Sequence, residues 1–341
     1  MPSRNLFQYL IITAKGLAMG AADAVPGVSG GTIAFISGIY EELITTISNI
    51  NLSLFKTLKE KGIFAFWEQL NGNFLIALVS GIAISFVTFI RIAKYFIENH
   101  PILIWSFFFG LIIASIIYIG KQIVTWNIKI IISIVLGAGL AFYITTIPSL
   151  ASNDNPYFLF IAGAIAICAM ILPGISGSFI LVILGAYKTL SDAVHDVDVK
   201  RLLLFILGAL IGLLSFSRIL KWLYKHYENT TLAVLTGFIV GSLNKVWPWK
   251  ETISVFSKEL GGEVMFTTVS NTGTLSVLQK SSQDFDSYKT IIEKSISPSY
   301  FTTINNNQDS QLLAALIFMA LGFLSIFILE RIANSKTSNG K

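Results

Sequence analysis

The sequence is poor in charge. Only 13% of its 341 residues are Asp, Glu, Lys or Arg, whereas 54% are hydrophobic. Ordinary soluble domains carry about 25% charged residues, so this chain has too few to cover the surface of a soluble fold. The same composition excludes a disordered chain. The apolar residues form long continuous runs rather than short alternating segments, which favours an α-helical membrane protein over a β-barrel.

Cysteine and histidine are also scarce. The single cysteine, Cys168, lies in an apolar run and cannot form an intrachain disulfide, which excludes a disulfide scaffold. The three histidines are scattered without metal-ligand spacing, and the sequence has no Walker A loop and no recognisable Ser/His/Asp set. We therefore expect no metal site, no cofactor and no enzymatic activity. The net charge of +5 fits the basic loops of a membrane protein better than nucleic-acid binding.

Eight apolar regions are long enough to enter a bilayer. They span residues 5–47, 74–96, 101–119, 128–147, 155–190, 202–224, 231–246 and 312–332. The first resembles a signal peptide at its start, but Lys15 interrupts the apolar core and the region recurs later in the chain, so we expect no cleavage. The connector 49–73 is amphipathic and is expected on the membrane surface. Five tryptophans are interpreted as anchors at the membrane interface, namely Trp105, Trp126, Trp222, Trp247 and Trp249.

An internal duplication gives the clearest signal of architecture. A shift of 147 positions places Pro26, Ser29 and Gly30 on Pro173, Ser176 and Gly177, and a shift of 127 places Arg91 on Arg218. Each half is then one broken helical hairpin followed by three helices. Whether its arms stop midway or cross fully, a hairpin returns to its own side, so each half makes an odd number of crossings.

The second half is therefore inverted relative to the first. We predict an all-α polytopic membrane protein of two inverted repeats, residues 1–150 and 151–341, each with a broken, re-entrant hairpin and three transmembrane helices. A small extracytoplasmic insert occupies about 247–310, and residues 263–279 within it alternate like a β-hairpin. The distribution of Lys and Arg places both termini in the cytoplasm.

The two broken hairpins carry the candidate binding residues. Proline and glycine end the first arm of each hairpin, while serine or threonine can cap the second arm and glycine lets a ligand approach the backbone. Two helix N-termini that enter from opposite faces would point at one anion. A tight turn in which Ser and Gly act only as caps is the structural alternative. The predicted phosphate-binding residues here are Ser29, Gly30, Gly31, Thr32, Ser176, Gly177 and Ser178.

Five ionisable residues are further candidates. Arg91 and Arg218 occupy equivalent repeat positions and are predicted to contact a phosphate headgroup, one at each mouth, with snorkelling to the lipid surface as the alternative. Asp23 and Lys15 lie eight residues apart on one helix face and are candidates for coupling or gating. The alternative for Asp23 is an ion pair with Lys15 or a hydrogen bond to the broken helix. Glu41 faces either the pathway or cytoplasmic solvent.

Two long motifs resemble a known bacterial family. Residues 15–32, followed by Gly38-Ile39-Tyr40-Glu41, resemble the opening signature of the polyprenyl-phosphate transporters of the PopT type, once catalogued as domain of unknown function 368. Residues 172–178, followed by Gly185-Ala186-Tyr187, are similar to the second signature of that family. The resemblance covers nearly the whole chain, and the insert is the part expected to vary.

The resemblance implies a transporter that returns undecaprenyl phosphate from the outer to the inner leaflet of the bacterial cytoplasmic membrane for reuse in envelope glycan synthesis. The expected partners are this lipid and the membrane, without nucleic acid, and a homodimer is one assembly open to the chain. The implied site residues are Asp23, Ser29 to Thr32 and Ser176 to Ser178. The alternative functions are a small-anion channel or transporter, and a membrane enzyme acting on lipid phosphates.

Overall fold

The computed structural model describes residues 4–23, 29–147, 155–257, 262–269, 288–305 and 307–335. Most of these residues are helical. The helices before the insert are α1 (Leu6–Asp23), α2 (Gly30–Ile36), α3 (Tyr40–Ser48), α4 (Leu52–Leu70), α5 (Gly72–Asn99), α6 (Pro101–Gly120), α7 (Ile128–Thr146), α8 (Pro156–Ile171), α9 (Gly177–Ile183), α10 (Tyr187–His195) and α11 (Val199–Ser242). A 3₁₀ helix (Leu243–Val246) leads into the insert.

Three helical segments are long and apolar enough to cross a membrane, judged on the described residues by length and composition. They are Pro101–Gly120, Ile128–Thr146 and the longer run Val199–Val246. The first two confirm predicted spans almost to the residue. The third contains two predicted spans, 202–224 and 231–246, as two helical stretches separated by a kink at Tyr227, whose φ of −139° and ψ of 47° are not helical. Neither Gly nor Pro stands between those spans, so the sequence supplies no strong helix breaker there.

Both predicted helix breaks are present. Helix α1 ends at Asp23 and α2 begins at Gly30, whereas α8 ends at Ile171 and α9 begins at Gly177. Each short second arm stops at a glycine in the left-handed conformation, Gly38 with φ of 71° and Gly185 with φ of 67°. Glycine adopts this conformation without steric cost, which explains why the same residue stands at both positions.

The chain divides into two compact units. One contains the described residues of Met1–Ala93, Ser115–Thr145 and Leu150–Ser242, and the other those of Lys94–Ala114, Thr146–Ser149 and Leu243–Lys341. Helix α4, in the first unit, folds back on itself at Gly62, whose φ is 81°. Its outer side exposes Leu52, Phe55 and Phe64. The predicted amphipathic connector is thus a helical hairpin with an exposed apolar face.

Glycines at repeated positions make equivalent close contacts in the first unit. A Cβ on Gly16 would overlap the carbonyl of Leu78, and a Cβ on Gly163 would overlap that of Phe205. Gly163 lies 147 positions after Gly16, and Phe205 lies 127 after Leu78, which are the two shifts of the sequence duplication. The first arm of each hairpin therefore packs closely against the helix that follows the hairpin.

The second unit holds the insert as a small sheet on helical supports. Strands β1 (Lys250–Ser257), β2 (Gly262–Met265) and β3 (Tyr288–Ser295) form an antiparallel sheet in the order β2-β1-β3. The short helices α12 (Phe266–Val269) and α13 (Pro298–Ile304) complete the insert, and α14 (Leu312–Ser335) follows it. The predicted hairpin over 263–279 is wrong where it is described, because 266–269 is helical and β2 pairs with the earlier strand β1. Its turn, Asn271-Thr272-Gly273, lies outside the described residues.

Buried tryptophans hold the insert together. Trp249 is 2% exposed, packs with Ile102, Phe301 and Ala315, and donates its Nε1–H to the carbonyl of Ser310 at 2.9 Å. Trp247 donates to the carbonyl of Ile296 at 2.8 Å. The interpretation of Trp249 as an interface anchor is therefore wrong, because apolar side chains cover its ring. Trp126 and Trp222 are 59% and 52% exposed, as interface anchors would be.

Candidate functional site

The two broken turns of the chain contact each other directly. The Ser29 hydroxyl donates to the carbonyl of Met170 at 3.1 Å, at the end of α8. In the opposite direction, the backbone N–H of Gly174 donates to Thr32 Oγ1 at 2.9 Å. Ser29 and Thr32 are 2% and 1% exposed. Residues more than 140 positions apart thus form one buried polar cluster, as the convergence of the two predicted sites requires.

Glycine is required where the two turns approach most closely. A Cβ on Gly31 would lie 2.7 Å from the carbonyl oxygen of Ile171 and 2.8 Å from that of Met170. Both distances are shorter than any ordinary van der Waals contact, so a larger residue would push the turns apart. Gly177 is also buried, and a Cβ there would lie 2.8 Å from the carbonyl of Ala166. In the structure these glycines allow close contact between helices, whereas their predicted role in the approach of a ligand to the backbone stays a prediction.

The first N–H groups of α2 already have acceptors. The Gly30 N–H donates to Asp23 Oδ1 at 2.7 Å, and the Gly31 N–H donates to Ser29 Oγ at 3.1 Å. The Asp23 carboxylate therefore lies at the N-terminus of α2, where the sequence predicts a bound anion. A phosphate can replace this acceptor on the Gly30 N–H only after Asp23 has been displaced. The hydrogen bond to the broken helix is the alternative that the sequence left open for Asp23.

Lys15 does not pair with Asp23. Its Nζ donates to the carbonyl of Ser37 at 2.6 Å, at the end of α2. The two ends of α2 are thus tied to α1, the first by Asp23 and the last by Lys15. Asp23 and Lys15 both belong to the first half of the chain. Their repeat partners in the second half, Met170 and Ala162, carry no charge. The chemical asymmetry seen in the sequence is therefore an asymmetry in how the second arm is held.

The remaining predicted residues take no part in the two hydrogen bonds that join the turns. Arg218 is exposed on α11 and donates to the carbonyl of Ile50 at 2.9 Å. Glu41 is exposed at the start of α3. Ser176 is half-buried just before α9. Arg91 lies in α5 and Ser178 in α9, but their side chains are outside what the structure describes.

Polar networks at the two ends of α3 were not predicted. Glu42 accepts from both terminal nitrogens of Arg4, at 2.6 and 2.7 Å, and from Asn71 Nδ2 at 2.9 Å. On the same stretch of chain, Lys221 Nζ donates to Asn49 Oδ1 at 3.1 Å. The bonds of Lys221 and Arg218 fasten the α3–α4 corner to α11, whereas those of Glu42 join α3 to Arg4 and Asn71. The sequence signal was the Arg218 and Lys221 pair, whose spacing of three residues puts both on one helix face.

Comparison with known proteins identifies the family of this chain. Residues 19–264 match the VCA0040-like family, described as undecaprenyl phosphate translocase-like. The chain belongs to this family. A polyprenyl-phosphate transporter of Vibrio cholerae serotype O1 is 42% identical over 325 residues, which cover 95% of this chain and 97% of that protein.

A second relative is more distant. A polyprenyl-phosphate transporter of Staphylococcus aureus is 34% identical over 258 residues, 69% of this chain and 84% of its own length. No solved structure matches the chain. The match to the family spans both broken turns and the polar cluster between them. The resemblance that the sequence motifs suggested is thereby confirmed.

Proposed function

We propose that this protein is a transporter that carries undecaprenyl phosphate from the outer to the inner leaflet of the bacterial cytoplasmic membrane. The direct contact between the two Pro-Gly-x-Ser-Gly turns carries this proposal. Backbone polar groups freed by a helix break in an apolar segment must pack within protein or line a cavity, and paired breaks of this kind are typical of substrate sites in transporters. The relatives named polyprenyl-phosphate transporters give the substrate class.

The proposed architecture is a pair of inverted repeats with re-entrant hairpins. Equivalent glycine contacts support the repeat. A Cβ on Gly110 would overlap the carbonyl of Met319, and a Cβ on Gly237 would overlap that of Ile134. Gly237 is the repeat partner of Gly110, and Met319 is that of Ile134, so each half contributes one glycine and one carbonyl. Such reciprocal contacts are expected when two repeats are related by a two-fold axis.

The phosphate headgroup is proposed to travel through the polar cluster while the isoprenoid tail stays in lipid. It enters near Arg91, reaches the turns at Ser29 and Ser176, and leaves near Arg218. Binding at the first turn requires the phosphate to replace the Asp23 carboxylate on the Gly30 N–H. Asp23 then acts as a tethered anion that holds α2 in place when no substrate is bound, which gives this residue its proposed gating role.

The proposal is tested with purified protein in vesicles that contain undecaprenyl phosphate. Ser29→Leu and Ser176→Leu place bulk between the turns, and we expect each to abolish translocation of the headgroup. Thr88→Leu is the matched control, because Thr88 is an exposed hydroxyl residue on α5 that donates to the carbonyl of Ile84 in its own helix. Translocation that survives both serine changes would place the site elsewhere.

Two further measurements separate the alternative functions. A small-anion transporter would move chloride across the same vesicles and would lose that flux in Ser29→Leu. A membrane enzyme would release inorganic phosphate from the lipid. We expect wild-type protein to move the lipid headgroup without chloride flux and without phosphate release.

A further inference from the structure

Two tyrosines meet where α3 packs against α11. The rings of Tyr40 and Tyr224 are 6.0 Å apart between centroids, and Tyr40 also makes an edge contact with Phe35 at 5.0 Å. Tyr40 is 2% exposed and Tyr224 is half-buried. Both phenolic oxygens are buried. The aromatic cluster lies between the end of the first broken hairpin and helix α11.

Within the part of the chain that the structure describes, neither phenolic oxygen has a hydrogen-bond partner. A buried hydroxyl without a partner costs free energy, and nearly all buried polar groups in native proteins are paired with protein, water or ligand. Phenylalanine would fill the same volume at both positions without this cost. The two hydroxyls are therefore of no use to packing, which points to a ligand that each of them can bind.

The chemistry of the surroundings defines that ligand. Phenol hydroxyls donate, so the ligand must offer acceptor oxygens. On α11, Arg218 lies two turns before Tyr224 and Lys221 one turn before it, and both are held towards α3 by their bonds to Ile50 and Asn49. The negative charges of two carboxylates, Glu41 and Glu228, also act on Tyr224 and would repel a bound anion. Glu41 is exposed to solvent, which screens its charge.

We propose that the Tyr40 and Tyr224 hydroxyls form a second phosphate-binding station, separate from the two turns, which donates hydrogen bonds to the headgroup before it leaves near Arg218. This inference rests on the proposed function. The station consists of neutral donors, so it holds a phosphate more weakly than a pair of arginines would. Weak binding suits a position from which the headgroup must be released.

The test uses Tyr40→Phe, Tyr224→Phe and the double variant. Farnesyl phosphate is the probe, with inorganic phosphate as a second probe, and the measurements are the dissociation constant and the unfolding temperature in detergent. Loss of one hydrogen bond to a charged group weakens binding by roughly tenfold, and we expect that loss for both probes in each single variant. We expect unchanged or higher unfolding temperatures, because each change removes an unpaired buried hydroxyl.

The matched control is Tyr227→Phe. Tyr227 lies on the same helix three residues after Tyr224 but is 54% exposed, so its hydroxyl is expected to affect neither measurement. Lower unfolding temperatures with unchanged binding would show that the hydroxyls are bonded within the protein and would overturn the inference. Unchanged values for both properties would overturn it as well.

The two probes separate a headgroup site from a tail site. A loss confined to farnesyl phosphate would place the hydroxyls against the isoprenoid chain and would overturn the assignment to phosphate. Failure of the wild-type protein to bind or translocate polyprenyl phosphate would instead overturn the proposed function, and the inference with it. A normal wild type with normal tyrosine variants overturns the inference alone.

Discussion

Glu293 lies between two lysines at the base of the insert. Its carboxylate lies 3.2 Å from Lys250 Nζ and 3.6 Å from Lys245 Nζ, and Lys250 also stands over the ring of Trp105 at 5.0 Å. Burial alone would raise the pKa of Glu293, but the two lysines outweigh it and lower the pKa to about 2. Burial lowers the pKa of Lys250, against the opposing effect of Glu293.

The lowered pKa predicts how the stability of the insert depends on pH. A carboxylate whose pKa is lower in the folded state stabilises the fold above its unfolded pKa, and this contribution is lost as pH falls towards the folded pKa. The fall from 4.5 to about 2 corresponds to about 3 kcal/mol. We expect constant stability from pH 7 to about 5 and a steep loss below about pH 4.5, monitored by tryptophan fluorescence.

A pair of variants checks the assignment to Glu293. Glu293→Gln leaves Lys250 buried without its partner and is expected to destabilise the insert by about 3 kcal/mol at pH 7, with a flatter acid limb. Glu60→Gln is the control, because Glu60 forms a surface ion pair with Lys56 at 3.7 Å and such pairs contribute little. An acid limb that is as steep in Glu293→Gln as in the wild type would contradict the assignment.

Asp23 is the residue through which protonation is expected to affect translocation. Its carboxylate accepts from the Gly30 N–H, and its replacement by a phosphate is a step in the proposed cycle. Asp23→Asn keeps an acceptor at this position but removes the charge that can be titrated. We expect the pH dependence of headgroup translocation in vesicles to change in Asp23→Asn. A profile identical to that of the wild type would remove Asp23 from coupling.

At the scale of elements, the sequence was sufficient where a signal was local. Pro101 at a helix start and the Pro-Gly pairs at the two helix breaks marked boundaries that the structure confirms. It was insufficient where the partner lay far along the chain. The pairing of β2 with β1 depends on contacts that no alternation within 263–279 encodes, and the bond from Lys15 to Ser37 depends on how α2 folds back.

The candidate site likewise combines features that the sequence predicted with distant contacts that it did not. The repeated motifs located both turns, but the acceptors that pair them are backbone carbonyls and side chains of the opposite half. Ser29 donates to the carbonyl of Met170, a group that every residue has, so no residue type reveals it. The repeat does not mark Tyr224 as a candidate, because the equivalent position in the first half, Ile97, carries no hydroxyl.

Close helix packing at repeated glycines predicts a contrast between variants. Gly110→Ala and Gly237→Ala place a Cβ against the carbonyls of Met319 and Ile134, and backbone cannot move as a flexible side chain can. Overpacking of this kind costs roughly 1–3 kcal/mol. We expect both variants to unfold at lower temperature in detergent, and by similar amounts.

Gly139→Ala is the matched control for these two variants. Gly139 lies in α7, and a Cβ there would meet no atom within 4 Å among the described residues. Alanine is favoured over glycine inside a helix by roughly 0.5–1 kcal/mol, so this variant is expected to be as stable as the wild type or more so. A similar fall in unfolding temperature in all three variants would show that alanine itself destabilises these helices. The carbonyl contacts would then not be the cause.

At the scale of the whole molecule, the inverted repeat makes a prediction that does not depend on transport. If the halves are inverted, the chain that follows the first hairpin and the chain that follows the second must lie on opposite sides of the membrane. Lys61, at the elbow of α4, follows the first hairpin, and Val199, at the start of α11, follows the second. Both are exposed and accept a cysteine without disturbing a core.

The measurement is labelling of single cysteines in a Cys168→Ser background, with a maleimide that does not cross membranes. We expect Val199→Cys to react in intact cells, and Lys61→Cys to react only after the cells are permeabilised, because the distribution of Lys and Arg predicts that both termini are cytoplasmic. Tyr300→Cys, 48% exposed on α13, should follow Val199→Cys and so place the insert outside. Labelling of Lys61→Cys and Val199→Cys from the same side would rule out inversion, since an even number of crossings would then separate two equivalent positions.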